Sequence, residues 1–157
     1  MNNLLVELRK IAQKILSLPS WDDKCWGKVW HRFNDNIINE SLLIVNSKWQ
    51  CSVHYHKYRF NAFISSSATI GIEVWDRKYN DRLNQLKSSK HDISSYFLPN
   101  INHILRPGSC YVVPPNTFHR FYVIEPGEII EVYWVNDGND CSMDDIVRIN
   151  QGGPRAY

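Results

Sequence analysis

Apolar side chains recur along this chain in two rhythms. At the start, Leu4, Leu8, Ile11, Ile15 and Leu18 fall at spacings of three and four, which places them on one stripe of a helix that Pro19 ends. That stripe needs a cover, either the rest of the chain or a second copy. Beyond Pro19 the period shortens. SLLIVNS, WQCSVHYHKY, NAFISSS, TIGIEVWD, SCYVV, HRFYVIE and EIIEVYWV are rich in Val, Ile, Tyr, Phe and Trp, with Asn, Asp, Gly, Pro and Ser at their bounds. In CSVHYHKY the alternation puts Ser52, His54, His56 and Tyr58 on one face and Val53, Tyr55 and Lys57 on the other. Short strands in such close succession favour an antiparallel all-β sandwich or barrel over βαβ units. The expected organisation is an N-terminal helix over residues 1–19 and one β-barrel domain over 20–157. The polar stretch from Arg77 to Arg106 reads as a long connection between strands.

Composition narrows the function classes. At 157 residues the chain has the size of one ordinary domain, and a formal net charge of +2 lacks the basic excess of a dedicated nucleic-acid binder. No apolar run is long enough to span a bilayer, and Glu7, Arg9, Lys10 and Lys14 interrupt any signal-peptide core. The expectation is a cytoplasmic protein with neither nucleic acid nor membrane as partner. Cys25, Cys51, Cys110 and Cys141 show no CxxC pairing and read as reduced thiols. Cys51 and Cys110, small and within strands, are expected to be buried structural thiols.

Two segments carry chemistry. His54-Tyr55-His56 lies on a predicted strand, so both imidazoles share one face about 6–7 Å apart at the backbone and can converge on one cation. The second segment runs from Gly108 to His119. Pro114-Pro115 ends its strand, Asn116 suits a turn that needs positive φ, and the chain re-enters a strand at Phe118-His119. Such a turn can bring His119 to face the first pair.

Together these residues resemble the two motifs of the cupin superfamily, whose fold is a jelly-roll β-barrel. The second motif matches in spacing through Gly108, Pro114, Asn116 (a Gly position in the family) and His119, with Val123 at its final Asn position. The first keeps His54 and His56, but Asn61 stands at its Glu, Ala68 at its closing Gly and Lys48 at its first Gly. A narrower resemblance is to sugar-handling cupins. Trp26-Gly27 ahead of a strand and the segment Cys51–Lys57 look like their entry. Glu131-Val132 with Asn136-Asp137 is similar to D-lyxose isomerases, and Asp144–Arg148 to the end of mannose-6-phosphate isomerase-type cupin domains.

The resemblance implies a divalent metal ion (Mn, Fe, Zn, Co or Ni) on His54, His56 and His119, with Asn61 at the fourth position. An amide oxygen is a weaker donor than a carboxylate, so such a site either binds metal weakly and leaves it more Lewis-acidic, or has lost it. The resemblance also implies a sugar or sugar-like substrate and aldose–ketose isomerisation, with Glu131 and Arg59 as the catalytic candidates. In IIEVYWV, Glu131 shares a face with Ile129, Tyr133 and Val135. Lys57, Arg120 and Tyr111 are further candidate contacts, although Lys57 and Arg120 alternate away from the histidines, which favours surface positions. Glu73 is expected on a solvated strand face. Cupins commonly pair, so a homodimer is expected. Two other readings fit the same residues: a three-histidine non-haem Fe(II) oxygenase, and a non-catalytic carbohydrate-binding cupin.

Overall fold

The structure is a computed structural model that describes residues 21–76, 99, 101–136 and 138–155. The helix expected over 1–19 lies outside the described residues. Strands are numbered along the chain. One antiparallel sheet has the spatial order β1 (Asp22–Lys24), β2 (Gly27–Asn34), β3 (Ile38–Val45), β11 (Gly127–Trp134), β6 (Phe60–Ser65), β9 (Cys110–Val113). The other has the order β12 (Ile146–Arg148), β5 (His54–His56), β10 (His119–Glu125), β4 (Trp49–Gln50), β13 (Gly153–Pro154). In addition, β7 (Thr69–Val74) pairs with β10, and β8 (Ile101–Leu105) with β7. The predicted all-β jelly-roll barrel is what the chain forms.

Alternation sets the inside. Along β11, Ile129, Glu131 and Tyr133 are buried while Ile130, Val132 and Trp134 stay half-exposed. Leu43, Val45, Phe63 and Ile129 of the first sheet belong to one core with Ile70, Ile72, Phe121 and Val123 of the second. Each such side chain contributes about 1.5–3 kcal/mol when fully buried. The interior is graded along the strands. Inner positions run Ile129, Glu131, Tyr133 along β11, and Val123, Phe121, His119 along β10, so one end of the barrel is apolar and the other polar.

The outer face of the first sheet is also apolar. Trp30, Leu42, Ile130 and Ile64 lie in one cross-strand row, and Ile38, Trp134 and Phe60 in another. Phe60 and Trp134 stack at 5.1 Å, and Trp21 and Trp30 lie 5.8 Å apart.

Three expectations are corrected. Arg120 and Glu73 do alternate away from the barrel interior, but they are 2% and 3% exposed rather than solvated. The two pair with each other, and Arg155 Nη2 donates to the second Glu73 oxygen at 2.8 Å. All six residues of β7 are buried, so both faces are covered at this strand and the charges there must satisfy one another. The polar stretch before Arg106 is not all connection, because Ile101–Leu105 forms β8 along β7. Cys110 is exposed, whereas Cys51 is buried as expected.

Backbone geometry bears out the turn chemistry. Asn116 has φ 56°, and Lys48, at another position where the related motif carries Gly, has φ 64°.

Candidate metal centre and pocket

The histidines meet because β5 and β10 are neighbours. His119 lies directly opposite His54 in the antiparallel ladder. The turn before β10 is pinned to the end of β5: Asn116 N–H donates to the His56 carbonyl at 2.7 Å and its Nδ2 to the Lys57 carbonyl at 3.0 Å. Ring centroids stand 4.5 Å (His54–His119), 5.2 Å (His54–His56) and 5.7 Å (His56–His119) apart.

Each ring has one nitrogen committed. His54 Nδ1 donates to the Ser52 carbonyl at 2.7 Å and His119 Nδ1 to the Thr117 carbonyl at 2.8 Å. His56 Nδ1 lies 3.0 Å from Asp145 Oδ1, to which it donates when it carries the proton, and 3.0 Å from Arg59 Nη2. Donation from Nδ1 leaves a lone pair on Nε2. His54 Nε2 and His56 Nε2 are buried without a hydrogen-bond partner, and one nitrogen from each of the three rings falls within 4.8 Å of the others. Burial, reinforced by mutual repulsion, holds His54 well below the ordinary histidine range and His119 down to about 3. Burial lowers His56 as well, against its bond to Asp145. Three neutral imidazoles, two with unpartnered Nε2 atoms and the third engaged only by a long contact from Asn61 Nδ2, form the donor set of a divalent transition-metal site, so the residues present fit the metal that the motifs imply.

Asp145 organises the far side. Its carboxylate also accepts from the backbone N–H of Tyr58 (3.0 Å) and Arg59 (3.1 Å) and from Arg59 Nε (3.1 Å). Burial works to raise its pKa, but the bonds from His56 and Tyr58 and the Arg59 charge outweigh it and hold the carboxyl well below the usual range. Arg59, 1% exposed, lies behind the cluster with its guanidinium 4.5 Å over the Tyr133 ring.

Asn61 occupies the fourth position. Its Nδ2 donates to Glu131 Oε1 at 3.1 Å and lies 3.4 Å from His119 Nε2, while its buried Oδ1 has no partner. Glu131 faces inward. Burial pushes its carboxyl up, against hydrogen bonds from Tyr133 and Asn61. Burial and the Glu131 carboxylate together raise Tyr133 well above the ordinary phenol value.

Glu131 continues a polar row across the first sheet, since Ser41 pairs with both Glu131 and His31. His31 Nδ1 is 3.0 Å from Ser41 Oγ, and its Nε2 is 3.3 Å from Asp22 Oδ2. A cavity of about 400 Å³ opens here. His31, Ser41, Glu131 and Tyr133 line one wall, His54 the other, and the exposed Lys24 and Arg148 stand at the rim. Of the sequence candidates, His54 and Glu131 line it. His56, His119, Asn61 and Arg59 are not part of its lining, Lys57 is exposed elsewhere, Arg120 and Glu73 lie behind β10, and Tyr111 packs 4.2 Å from His103.

Sequence reasoning missed His31, Asp22, Asp145 and Arg148. Alternation of Val29 and His31 on one strand face was a usable signal for the first. Nothing local marks Asp145, which acts on a turn far away in sequence.

The barrel resembles several solved structures. These include KdgF from Halomonas sp. (12% identity over 75% of this chain and 89% of that one, TM-score 0.55). An RmlC-like cupin from Shewanella frigidimarina shares 11% identity over 78% and 88%, with TM-score 0.55. Streptomyces PAC13 with uridine shares 10% identity over 85% of both chains, with TM-score 0.57. At these identities the likeness establishes a cupin fold and nothing finer. No curated protein matches the chain in sequence. The model of one family, D-lyxose isomerase, matches residues 27–152 and so takes in the barrel, the three histidines, Asn61 and Glu131. By that match this cupin jelly roll belongs to the D-lyxose isomerase family.

Proposed function

We propose that the protein is a metal-dependent aldose–ketose isomerase acting on a sugar or sugar derivative. The observation that carries this reading is the convergence of three buried imidazoles on one point, one of which, His54, faces the buried Glu131 carboxylate across a cavity. His54, His56 and His119 would hold the cation, with Asn61 Oδ1 as the fourth, neutral donor. When bound, a divalent ion supplies a Lewis acid that polarises the carbonyl and neighbouring hydroxyl of an open-chain sugar.

Glu131 is then the proton carrier. Its carboxylate takes the proton from the carbon beside the carbonyl, the electron pair moves to form an enediolate, the neighbouring hydroxyl proton passes to the former carbonyl oxygen, and Glu131 delivers to the former carbonyl carbon a proton that exchanges in part with solvent. A carboxyl raised by burial is a stronger base than a solvated one, which suits this step. Asn61 and Tyr133 hold Glu131 in place. Arg59 enters as a positioning residue, because it grips Asp145 and covers the Tyr133 ring instead of reaching the cavity.

Two coarser features belong to the same reading. The four free thiols fit a reducing compartment, hence the cytoplasm. The apolar outer face of the first sheet, with its rows through Ile130 and Trp134, is assigned to a second copy. The rows cross four strands about 4.8 Å apart, a face of the order a stable dimer interface needs. Light scattering is expected to give a dimer at micromolar concentration, and Ile130→Lys a monomer. A wild-type monomer would refute the assignment.

The isomerase is tested by loading the protein with Mn or Co as divalent ions and following D-lyxose in deuterated water by NMR. Deuterium should enter at the second carbon and ketose should appear. Glu131→Gln should lower both by about a hundredfold or more while the metal content stays the same. Stoichiometric metal with neither exchange nor ketose would sink the reading. An iron-specific, oxygen-consuming activity would select the oxygenase, which the neutral fourth position favours as second choice.

A further inference from the structure

Arg148 is the cavity's uncommitted cation. It sits on β12, at the edge of the second sheet, directly opposite His54 in the ladder and on the same side as that imidazole. The other arginines near the barrel's polar end are spoken for. Arg59 is held by Asp145, and Arg120 and Arg155 share Glu73. Arg148 has neither an ion-pair nor a hydrogen-bond partner among the described residues, yet it lines the cavity. A second cation stands at the same rim: Lys24 lines the cavity and, among the described residues, pairs with Asp22 at 3.4 Å through two side chains more than 40% exposed. A pair that open is worth little and exchanges readily for a better anion. The inner wall offers hydroxyl-directed groups (His31, Ser41 and Glu131), whereas the rim offers a guanidinium fork and an ammonium.

We propose that Arg148, with Lys24, binds an anionic group, phosphate or carboxylate, at the end of the sugar remote from the carbons that exchange the proton. This rests on the isomerase reading, which it narrows to sugar phosphates or sugar acids. The guanidinium takes two oxygens of such a group in parallel, and Lys24 adds a point charge. The anion stays at the wet rim, away from the Glu131 carboxylate.

The test uses a matched series on the metal-loaded full chain: D-mannose, D-mannose 6-phosphate and D-mannuronate, which differ only at the terminal carbon. One anionic member should exceed the neutral sugar in kcat/KM by about tenfold or more, and which one does so identifies the group. R148Q should cut the anionic-to-neutral ratio by about the same factor, with R148K restoring part of it. A wild type that prefers the neutral sugar, or a ratio unchanged in R148Q, overturns the proposal and leaves the isomerase standing. If no member of the series is isomerised, calorimetric titration with inorganic phosphate decides. Binding that R148Q weakens about tenfold supports the anion site without the isomerase, and absent binding or equal binding by both proteins refutes it.

Discussion

Asn61→Asp exchanges a single side-chain group, and its effect can be worked out from the contacts. The amide Nδ2 donates to Glu131 Oε1 at 3.1 Å, and residue 61 has no solvent exposure. Replacing that nitrogen by oxygen sets two carboxylates against each other. If both ionise, unit charges about 4 Å apart repel by about 4 kcal/mol at an effective dielectric of about 20. If one keeps a proton to pH 7, holding it about two to three units above its ordinary pKa costs about 3–4 kcal/mol. Glu131 is already raised by burial, which makes the second route the cheaper one. The metal-free variant should lose roughly 2–4 kcal/mol at pH 7, or about 5–15 °C in Tm for a domain of this size.

The pH dependence has a definite sign. The shared proton gives the folded pair a pKa above its unfolded value, so the folded state binds more protons and the penalty shrinks as pH falls. Asn61→Leu, which removes the donor without adding charge, should cost about 1–3 kcal/mol with a much smaller slope. Added divalent metal should recover more Tm in Asn61→Asp than in wild type, because a fourth anionic donor tightens the site. Near-UV circular dichroism melts in chelator from pH 5 to 8, repeated with Mn, supply the readout. An Asp variant as stable as wild type at pH 8 in chelator would refute the placement of Glu131 beside Asn61, as would a loss that does not change between pH 5 and 8.

Other outcomes follow from the same contacts. Because His54, His56 and His119 have folded pKa values below 6.5, the unfolded chain takes up protons first as pH drops. The metal-free protein should therefore lose up to about 1.4 kcal/mol per pH unit per histidine below pH 6.5, seen as a falling urea midpoint. A flat urea midpoint from pH 7 to 5 would contradict this. Glu73→Gln should destabilise by about 3–5 kcal/mol at neutral pH by leaving Arg120 charged and buried, and a Glu73→Met/Arg120→Met double variant should recover much of it. Burial raises Glu73 less than Arg155 and Arg120 lower it, so the wild-type contribution is present at neutral pH and fades below about pH 4.5. A thiol reagent should label Cys25 and Cys110 quickly in the native protein and spare Cys51, whose thiol burial pushes up to about 12. Rapid labelling of Cys51 under native conditions would place it wrongly.

What could be read in advance was local. Period-two alternation placed His54 and His56 on one face, and the Pro-Pro-Asn turn returned His119 to them, because both signals sit within a few residues. Alternation also put Arg120 and Glu73 on the side away from the barrel, which is correct. It says nothing about whether that side is wet, and here the six buried residues of β7 show that it is dry. The row His31–Ser41–Glu131 depends on the register of three strands from distant parts of the chain, so no single window contains it. Asp145 is more remote still: it fixes His56 through space while closing the turn at Tyr58 and Arg59.

The run from Ile149 to Arg155 is fastened on both sides of Gln151 and Gly152, by the Ile149 N–H on the Val53 carbonyl at one end and by the pairing of β13 with β4 at the other. Asn150 Oδ1 accepts from the Val53 N–H at 2.7 Å, and Arg155 reaches Glu73 and lies 3.6 Å over the Tyr122 ring, which itself lies flat across Gly71. Between the fastenings, Gln151 and Gly152 face the cavity. Gly152 has no room to change, since a Cβ would stand 2.6 Å from the Gln50 carbonyl oxygen, but Gln151 is exposed. Position 151 is therefore open to divergence: an exposed side chain at the entrance can change without disturbing the buried core, and a library randomised at that one codon would sample ligand preferences at nearly constant thermostability.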